Sequence, residues 1–258
     1  MVKHGVKEIK IRAVLFDLGE TLLDFGRFST TRIFRAGARA SHAYLRSLGQ
    51  RVGPFEWYCW KNLLILRLRV LVSSITGNDF DAFALLQRVG RRRGITLTDE
   101  QWREFAWRWY EPLGRLGRVQ PDTPSALAVL RDAGLKLGIV SNTFVNRESL
   151  ERHMEQFGIL EYFPVRVYSY EHPRRKPYPG IFQRAAELVG EPFERIAFVG
   201  DRIDKDILPA LRLGMTAILK TAYTNAGKSP PRGVHRITHL ADLPVLIDEL
   251  NAAAACCG

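Results

Sequence analysis

Cysteine is scarce in this chain: three residues, Cys59, Cys256 and Cys257, among 258. None has the spacing of a zinc site, and so few thiols argue against the disulfide framework of a small secreted fold. Cys59 falls in a helical pattern and reads as an ordinary buried thiol. The ending Ala252-Ala253-Ala254-Ala255-Cys256-Cys257-Gly258 reads as a frayed tail without a role. Long apolar runs are also missing. Met1 to Glu8 offers no apolar stretch of the kind a secretory signal needs, and Leu63 to Val72 is interrupted by Arg67 and Arg69. These absences exclude a bilayer-crossing helix, and a cytoplasmic location is expected, with no membrane partner. Charge of one sign is short as well. From Phe25 to Gln120 there are 17 Arg and Lys against 7 Asp and Glu, a net of +10, within a chain of net +11. All five Trp residues (57, 60, 102, 107 and 109) lie in this stretch. So sharp a shift marks an inserted module, and the division expected is a core of residues 1–24 and 119–258 with an insert of 25–118.

Outside the insert, short apolar runs alternate with helical patterns. Ile11 to Phe16, Leu135 to Ser141, Val165 to Tyr168, Ile196 to Gly200 and Thr216 to Leu219 read as buried strands. Helices are predicted between them. One is capped by Thr123 with Pro124 at its first position; others cover Arg147 to Phe157, Pro179 to Val189, Asp204 to Leu213 and Leu243 to Asn251. The alternation predicts an α/β fold with a parallel sheet covered on both faces. The insert shows helical patterns only: Thr30 to Leu48, Glu56 to Ile75, Asp79 to Arg93 and Thr98 to Leu113. In the second, Trp57, Trp60, Leu64, Leu68, Leu71 and Ile75 recur at helical spacing. Trp102, Phe105 and Trp109 share one face and read as the insert's core, while Trp107 does not share it. Arg32, Arg35, Arg39, His42 and Arg46 form a stripe along one helix. Its plain reading is a solvated face; the sharper one is a border of the active cleft that attracts anions.

Asp17 is the most informative residue. It follows Ala13-Val14-Leu15-Phe16, which places a carboxylate at the C-terminal tip of a buried strand, where open α/β sheets put their functional groups. Charge buried there is costly unless a cation offsets it. Three further strand ends carry polar groups: Ser141-Asn142, Lys176-Pro177, and Gly200-Asp201-Arg202-Ile203-Asp204-Lys205-Asp206. Each has an ordinary reading as a helix cap, a solvated lysine or a cluster of acids at a helix start. Four such coincidences at four strand ends are improbable together.

In order and spacing, these four motifs resemble the haloacid dehalogenase superfamily of phosphatases, mutases and dehalogenases. The resemblance runs from about Ile11 to Lys220, with a helical insert where that family places its first type of cap. It implies a Rossmann-like core and a Mg²⁺-dependent phosphatase acting on a small anionic, phosphorylated substrate. In that scheme Asp17 attacks phosphorus and forms an aspartyl-phosphate. Asp17, Asp201 and the backbone carbonyl of Gly19 hold Mg²⁺, and Asp206 or Asp204 binds directly or orients metal waters. Lys176 neutralises phosphate, Ser141 and Asn142 bind it, and Thr21 steadies the loop by hydrogen bonding. One departure stands out. Family phosphatases usually carry a second Asp two residues after the nucleophile, as general acid, and here that position is Gly19. Slow turnover, a good leaving group or a stand-in acid would follow, with Glu20 the nearest candidate for the last, although a helix-start or cap-contacting role is its plainer reading. Two rival readings stay open: a haloacid dehalogenase attacking carbon without metal, and a non-catalytic phosphate or nucleic-acid binder using the basic insert. No nucleic-acid motif is present, so no nucleic-acid partner is expected.

Overall fold

The computed structural model of this chain describes residues 11–256. The Met1 to Glu8 segment and Cys257, read above, lie outside them. Six strands form one fully parallel sheet in the order β3-β2-β1-β4-β5-β6. They are β1 (Ala13–Phe16), β2 (Lys136–Ser141), β3 (Val165–Tyr168), β4 (Ile196–Gly200), β5 (Thr216–Lys220) and β6 (His235–Ile237). The central strands are apolar on both faces because helices cover both. Along β1, Val14 and Phe16 enter one core with Leu127 of α5 (Thr123–Asp132), Met154 of α6 (Arg147–Gln156) and Ile247 of α9 (Leu243–Cys256). Ala13 and Leu15 point the other way, toward Ile181, Phe182 and Ala185 of α7 (Pro179–Val189) and Ala210 of α8 (Leu208–Arg212). The strand order reverses at β1: the chain builds outward through β2 and β3, then returns to β4. The crevice beyond the C-terminal ends of β1 and β4 is therefore the place where this topology opens a site.

The insert between β1 and α5 holds α1 (Thr30–Ser47), α2 (Phe55–Thr76), α3 (Ala82–Arg92) and α4 (Asp99–Gly114). Their starts are chemically fixed. The Ser29 and Asp81 side chains accept from Arg32 N and Ala84 N, and Thr98 with Gln101 makes a reciprocal capping box. The axes of α1 and α4 approach closely because Gly37 has no side chain: a Cβ there would lie 2.5 Å from Trp109 O. Trp102 and Phe105 are buried in the insert's core and Trp109 packs partly buried against it, whereas Trp107 faces the main sheet's core. The two chain segments joining insert to core meet at Asp24 and Arg118, which exchange backbone hydrogen bonds of 2.8 Å.

Several expectations are corrected. The helix opening near Thr123 takes Asp122 as its cap residue, so Thr123 is already helical and Pro124 follows it. Residues 203–207 form a wider π-turn before α8, instead of one helix from Asp204. The final helix continues past Asn251 to Cys256, so most of the supposed tail is helical. The edge strand β6 has no counterpart among the predicted elements. The arginine stripe does not border the cleft. Arg35 pairs with Glu56, Arg35 and Arg39 both lie over the Phe55 ring, and buried His42 bonds Gly53 O at 2.9 Å. The stripe thus covers the seam between α1 and the start of α2. The recurrent apolar face of α2, from Trp57 to Ile75, is exposed, with Ile75 at 78%. No helix among the described residues is long and apolar enough to cross a membrane.

Candidate active site

The ends of β1, β2 and β4 converge on a pocket of about 270 Å³ lined by Asp17, Gly19, Ser141, Asn142, Asp201 and Asp206, with Glu20, Arg202, Lys205 and Thr224 at its walls. Lys176 enters it from the loop between β3 and α7, not from a strand end as expected. Asp17 continues the line of β1, its N–H still donating to Val199 O at 2.9 Å, so the sheet ladder itself aims the carboxylate. Lys176 is almost wholly buried, and its Nζ lies 2.6 Å from Asp17 Oδ1 and 2.7 Å from Asp206 Oδ1. Asn142 holds that lysine in place. Its Oδ1 accepts from Lys176 N at 2.8 Å and its Nδ2 donates to Lys176 O at 3.0 Å. With both ends of the amide engaged, Asn142 acts on the site through Lys176, and Ser141 is left as the free polar side chain of its pair.

Asp206 reaches the pocket because Gly200 has no side chain. A Cβ there would sit 2.5 Å from the Asp206 Cβ. Asp206 Oδ2 accepts from Arg202 N at 3.0 Å. Asp204 turns away to Arg202, with contacts of 3.0 and 3.1 Å, and is exposed, so of the two acids named above only Asp206 faces the site.

Among the buried groups, three carboxylates against one ammonium leave the ionised cluster two charges negative, with Arg202 and Lys205 only at the walls. Carboxylate oxygens of Asp17, Asp201 and Asp206 can lie within 4.8 Å of one another. Burial raises Asp17 above the usual carboxylate range, with Lys176 opposing and Asp201 adding to the rise. Burial likewise pushes Asp201 up to about 6, although Thr224 stabilises its charge, and Asp206 up to about 6 against the pull of Lys176. Lys176 is affected in the opposite sense: burial alone would lower it, but Asp17 and Asp206 outweigh that and raise it. One oxygen, Asp201 Oδ1, is buried with no hydrogen-bond partner among the described residues. A clustered oxygen donor set, excess negative charge and an orphaned carboxylate oxygen together fit a hard divalent cation such as Mg²⁺.

The role expected of Thr21 changes, while Glu20 follows its plainer reading. Thr21 is buried, but its Oγ1 has no hydrogen-bond partner among the described residues, so the bond anticipated for it is not made. Glu20 occupies the left-handed region at φ 60°, rare for a residue with a side chain. Its Oε1 accepts from Phe25 N at 3.0 Å and Gly26 N at 3.1 Å, which closes the loop leading to the insert. Glu20 lines the pocket while its carboxylate is committed to that turn.

Sequence reasoning missed the loop after β5. Thr224 Oγ1 donates to Asp201 Oδ2, and Asn225 Nδ2 donates to Asp201 O at 2.9 Å and Lys220 O at 2.8 Å. The same strand-end rule that singled out Asp17 would have pointed there. The insert is fastened close to Lys176. Asp79, from the turn between α2 and α3, pairs with Arg175 at 3.1 Å and accepts from Ser73 and Ser169, and Arg175 N donates to Gly77 O at 3.0 Å.

The chain is similar to known proteins over most of its length. It is 38% identical over 98 residues to a glyceraldehyde 3-phosphate phosphatase of Methanopyrus kandleri, a stretch covering 38% of this chain and 41% of that one. The match thus spans less than half of that relative. It is 27% identical over 211 residues to a phosphoglycolate phosphatase of Neisseria meningitidis, covering 81% and 79% of the two chains. In three dimensions it resembles a 2-haloacid dehalogenase from Pseudomonas syringae pv. Tomato, with a TM-score of 0.60 at 21% identity, covering 93% and 99%. That likeness concerns the fold alone. The family profile described as haloacid dehalogenase-like hydrolase matches residues 11–214, which takes in β1, the insert and all four motifs, and the chain belongs to that family.

Proposed function

We propose that this protein is a Mg²⁺-dependent phosphatase that hydrolyses a small phosphate monoester through a phosphorylated Asp17. The observation that carries the reading is the buried Lys176 bridging Asp17 and Asp206, beside an Asp201 oxygen without a partner. A carboxylate that attacks carbon needs no such concentration of acids, whereas one that attacks a phosphate dianion needs cations to overcome repulsion.

The residues divide the work. Lys176 fixes the Asp17 carboxylate through Oδ1 and supplies positive charge where phosphate oxygens arrive. Asp17 attacks phosphorus; the P–O bond to the ester oxygen breaks, and the leaving oxygen departs with the electron pair. Ser141, at the end of the neighbouring strand β2, donates to a phosphate oxygen. Water then attacks phosphorus, the bond to Asp17 breaks, and inorganic phosphate is released. Mg²⁺, held by Asp17, Asp201, Asp206 and the Gly19 carbonyl, would screen the phosphate charge and polarise the phosphorus centre. We assign residues 25–118 as the cap that decides which ester enters. With a Gly at position 19 and Glu20 engaged in its turn, neither residue offers a free acid beside the nucleophile for the leaving group.

The test is release of inorganic phosphate from a panel of phosphate monoesters, with Mg²⁺ and with excess chelator. Turnover that requires Mg²⁺ supports the reading. Halide release from 2-haloacids in chelator, with no phosphate release, would replace it with the dehalogenase.

A further inference from the structure

The pocket at Asp17 is lined mainly by charged and polar side chains, as a phosphoryl group and its cations require. Beside it lies a second cavity of about 320 Å³, of the opposite character. Its walls include Phe28, Ile33 and Phe34 around the start of α1, Leu66 of α2, Trp109 of α4, and Phe144 from the loop after β2. The Phe34 and Trp109 rings are 5.0 Å apart. Hydroxyl and amide side chains reach this lining only from Thr30, Tyr110 and Asn146. Two of these are already occupied: Tyr110 OH bonds His153 Nδ1 at 2.7 Å, and Asn146 Nδ2 donates to Glu148 at 2.8 Å. An apolar cavity of this kind holds water poorly and favours an apolar occupant, and its size is at the lower end for small-molecule sites.

The two spaces are adjacent along the chain. Asn142 lines the first and Phe144 the second; Phe25 lines the first and Phe28 the second. Two or three residues of extended chain span at most about 7–11 Å. The two linings are thus close enough for one molecule to reach both, with its phosphate at Asp17 and its body in the apolar cavity.

Gly19 narrows the chemistry of that body. An alcohol leaving group resembles water, whose pKa is about 16, and leaves poorly without a proton. A phenol, at about 10, leaves as the anion. A nucleophile with no acid at position 19 and an aromatic-walled cavity fit the same ligand twice over. We infer that the substrate is an aryl phosphate monoester, its ring seated among Phe28, Ile33, Phe34, Leu66, Trp109 and Phe144. This rests on the phosphatase reading above and deepens it.

The experiment has a binding arm and a turnover arm, both on the Mg²⁺-loaded protein. Calorimetry compares 1-naphthylphosphonate, octylphosphonate and methylphosphonate, none of which can be hydrolysed. Naphthyl binding should be at least about tenfold tighter than methyl, in line with burial of an apolar group. Ala82→Phe, which fills the cavity from the first turn of α3, should erase most of that ratio. Turnover arms compare 1-naphthyl phosphate with 2-phosphoglycolate, and the aryl ester should be preferred. Equal binding of naphthyl and methyl phosphonates, with 2-phosphoglycolate hydrolysed as well as the aryl ester, would overturn the inference and leave the phosphatase standing. Octyl binding as tight as naphthyl would overturn the aryl assignment in favour of an alkyl chain. Tight naphthyl binding with no phosphate released from any ester would instead overturn the phosphatase reading, and the substrate inference with it. The wild-type ratios decide the matter even if the filled variant fails to fold.

Discussion

Gly19→Asp should accelerate hydrolysis of alkyl phosphates and change aryl phosphates far less. The position can accept the side chain: a Cβ at Gly19 meets nothing within 4 Å, and Gly19 is not among the glycines held in the left-handed region. It lines the pocket two residues beyond Asp17. The new carboxyl would join Asp17, Asp201 and Asp206, all of which burial already lifts above the ordinary range. One like charge at about 6 Å and an effective dielectric of about 20 contributes about 3 kcal/mol. That is enough to carry a carboxyl from about 4 to about 6, so a useful fraction would be protonated at mildly acidic pH. General acid help is worth roughly 10²–10⁴-fold, or about 3–5 kcal/mol of barrier. Recovery of a tenth of that range would still be measurable.

The assay is steady-state phosphate release from glycerol phosphate and phenyl phosphate at pH 5.5–8, in wild type and variant. The alkyl rate should rise by about tenfold or more, with a new loss of rate toward high pH as the added acid ionises. For phenyl phosphate only the second half-reaction, water attack on the phosphorylated Asp17, can gain from a new base. A wild-type protein that already hydrolyses both esters at similar rates would refute the reasoning, because another group would then be supplying the proton. So would an alkyl rate unmoved by the substitution.

Asp17→Asn keeps the size of the side chain and removes the attacking oxygen's charge, so turnover should disappear while the circular dichroism spectrum stays unchanged; near-normal rates would dismiss the covalent route. Mg²⁺ should raise Tm more at pH 7.5 than at pH 5. Asp201 and Asp206, at about 6 when folded against 3.8 otherwise, bind more protons in the folded state, so the metal-free protein loses stability as pH rises from about 4 through about 6. A Mg²⁺ effect on Tm that is flat with pH would contradict this. Gly200→Ala should weaken Mg²⁺ binding measured by calorimetry, since the added methyl group occupies the place of Asp206; unchanged affinity would show that Asp206 is not needed there.

How much of this was legible in the sequence depended on whether a signal was local. The bounds of β3 and β4 and the span of α7 coincide with the apolar runs and the Pro and Gly that flank them. Those elements are decided by residues close in sequence. Asp17, Ser141 and Asp201 follow from one rule applied at strand ends, whereas Lys176 and Asp206, further along their loops, were legible through the family resemblance. The rule was not applied at the end of β5, and Thr224 and Asn225 were missed with it. The edge strand β6 is three residues long and carries exposed Arg236, so it has neither a run nor a period to detect. Thr21 shows the converse failure. A hydroxyl in a motif reads as a hydrogen bond, but only the fold decides whether a partner stands within reach, and here none does among the described residues.

The insert shows why the loudest compositional signal need not mark the function. Its net charge of +10 and its aromatic residues are equally conspicuous in the sequence. Folding separates them. The arginines of α1 spread over its outer surface, against Glu56 and the face of Phe55, where exposed charge is worth little. Phe34 and Trp109 turn inward and meet Phe28 and Phe144, which come from loops that also wall the Asp17 pocket. No window of sequence contains that cavity, because its walls come from segments more than a hundred residues apart. The charge pattern could be read directly but governs mainly the surface; the cavity, assembled only in three dimensions, draws its walls from loops that also line the nucleophile's pocket. The proposed selection of substrate by an apolar wall, with Lys176 and a cation neutralising the phosphate, rests on that separation.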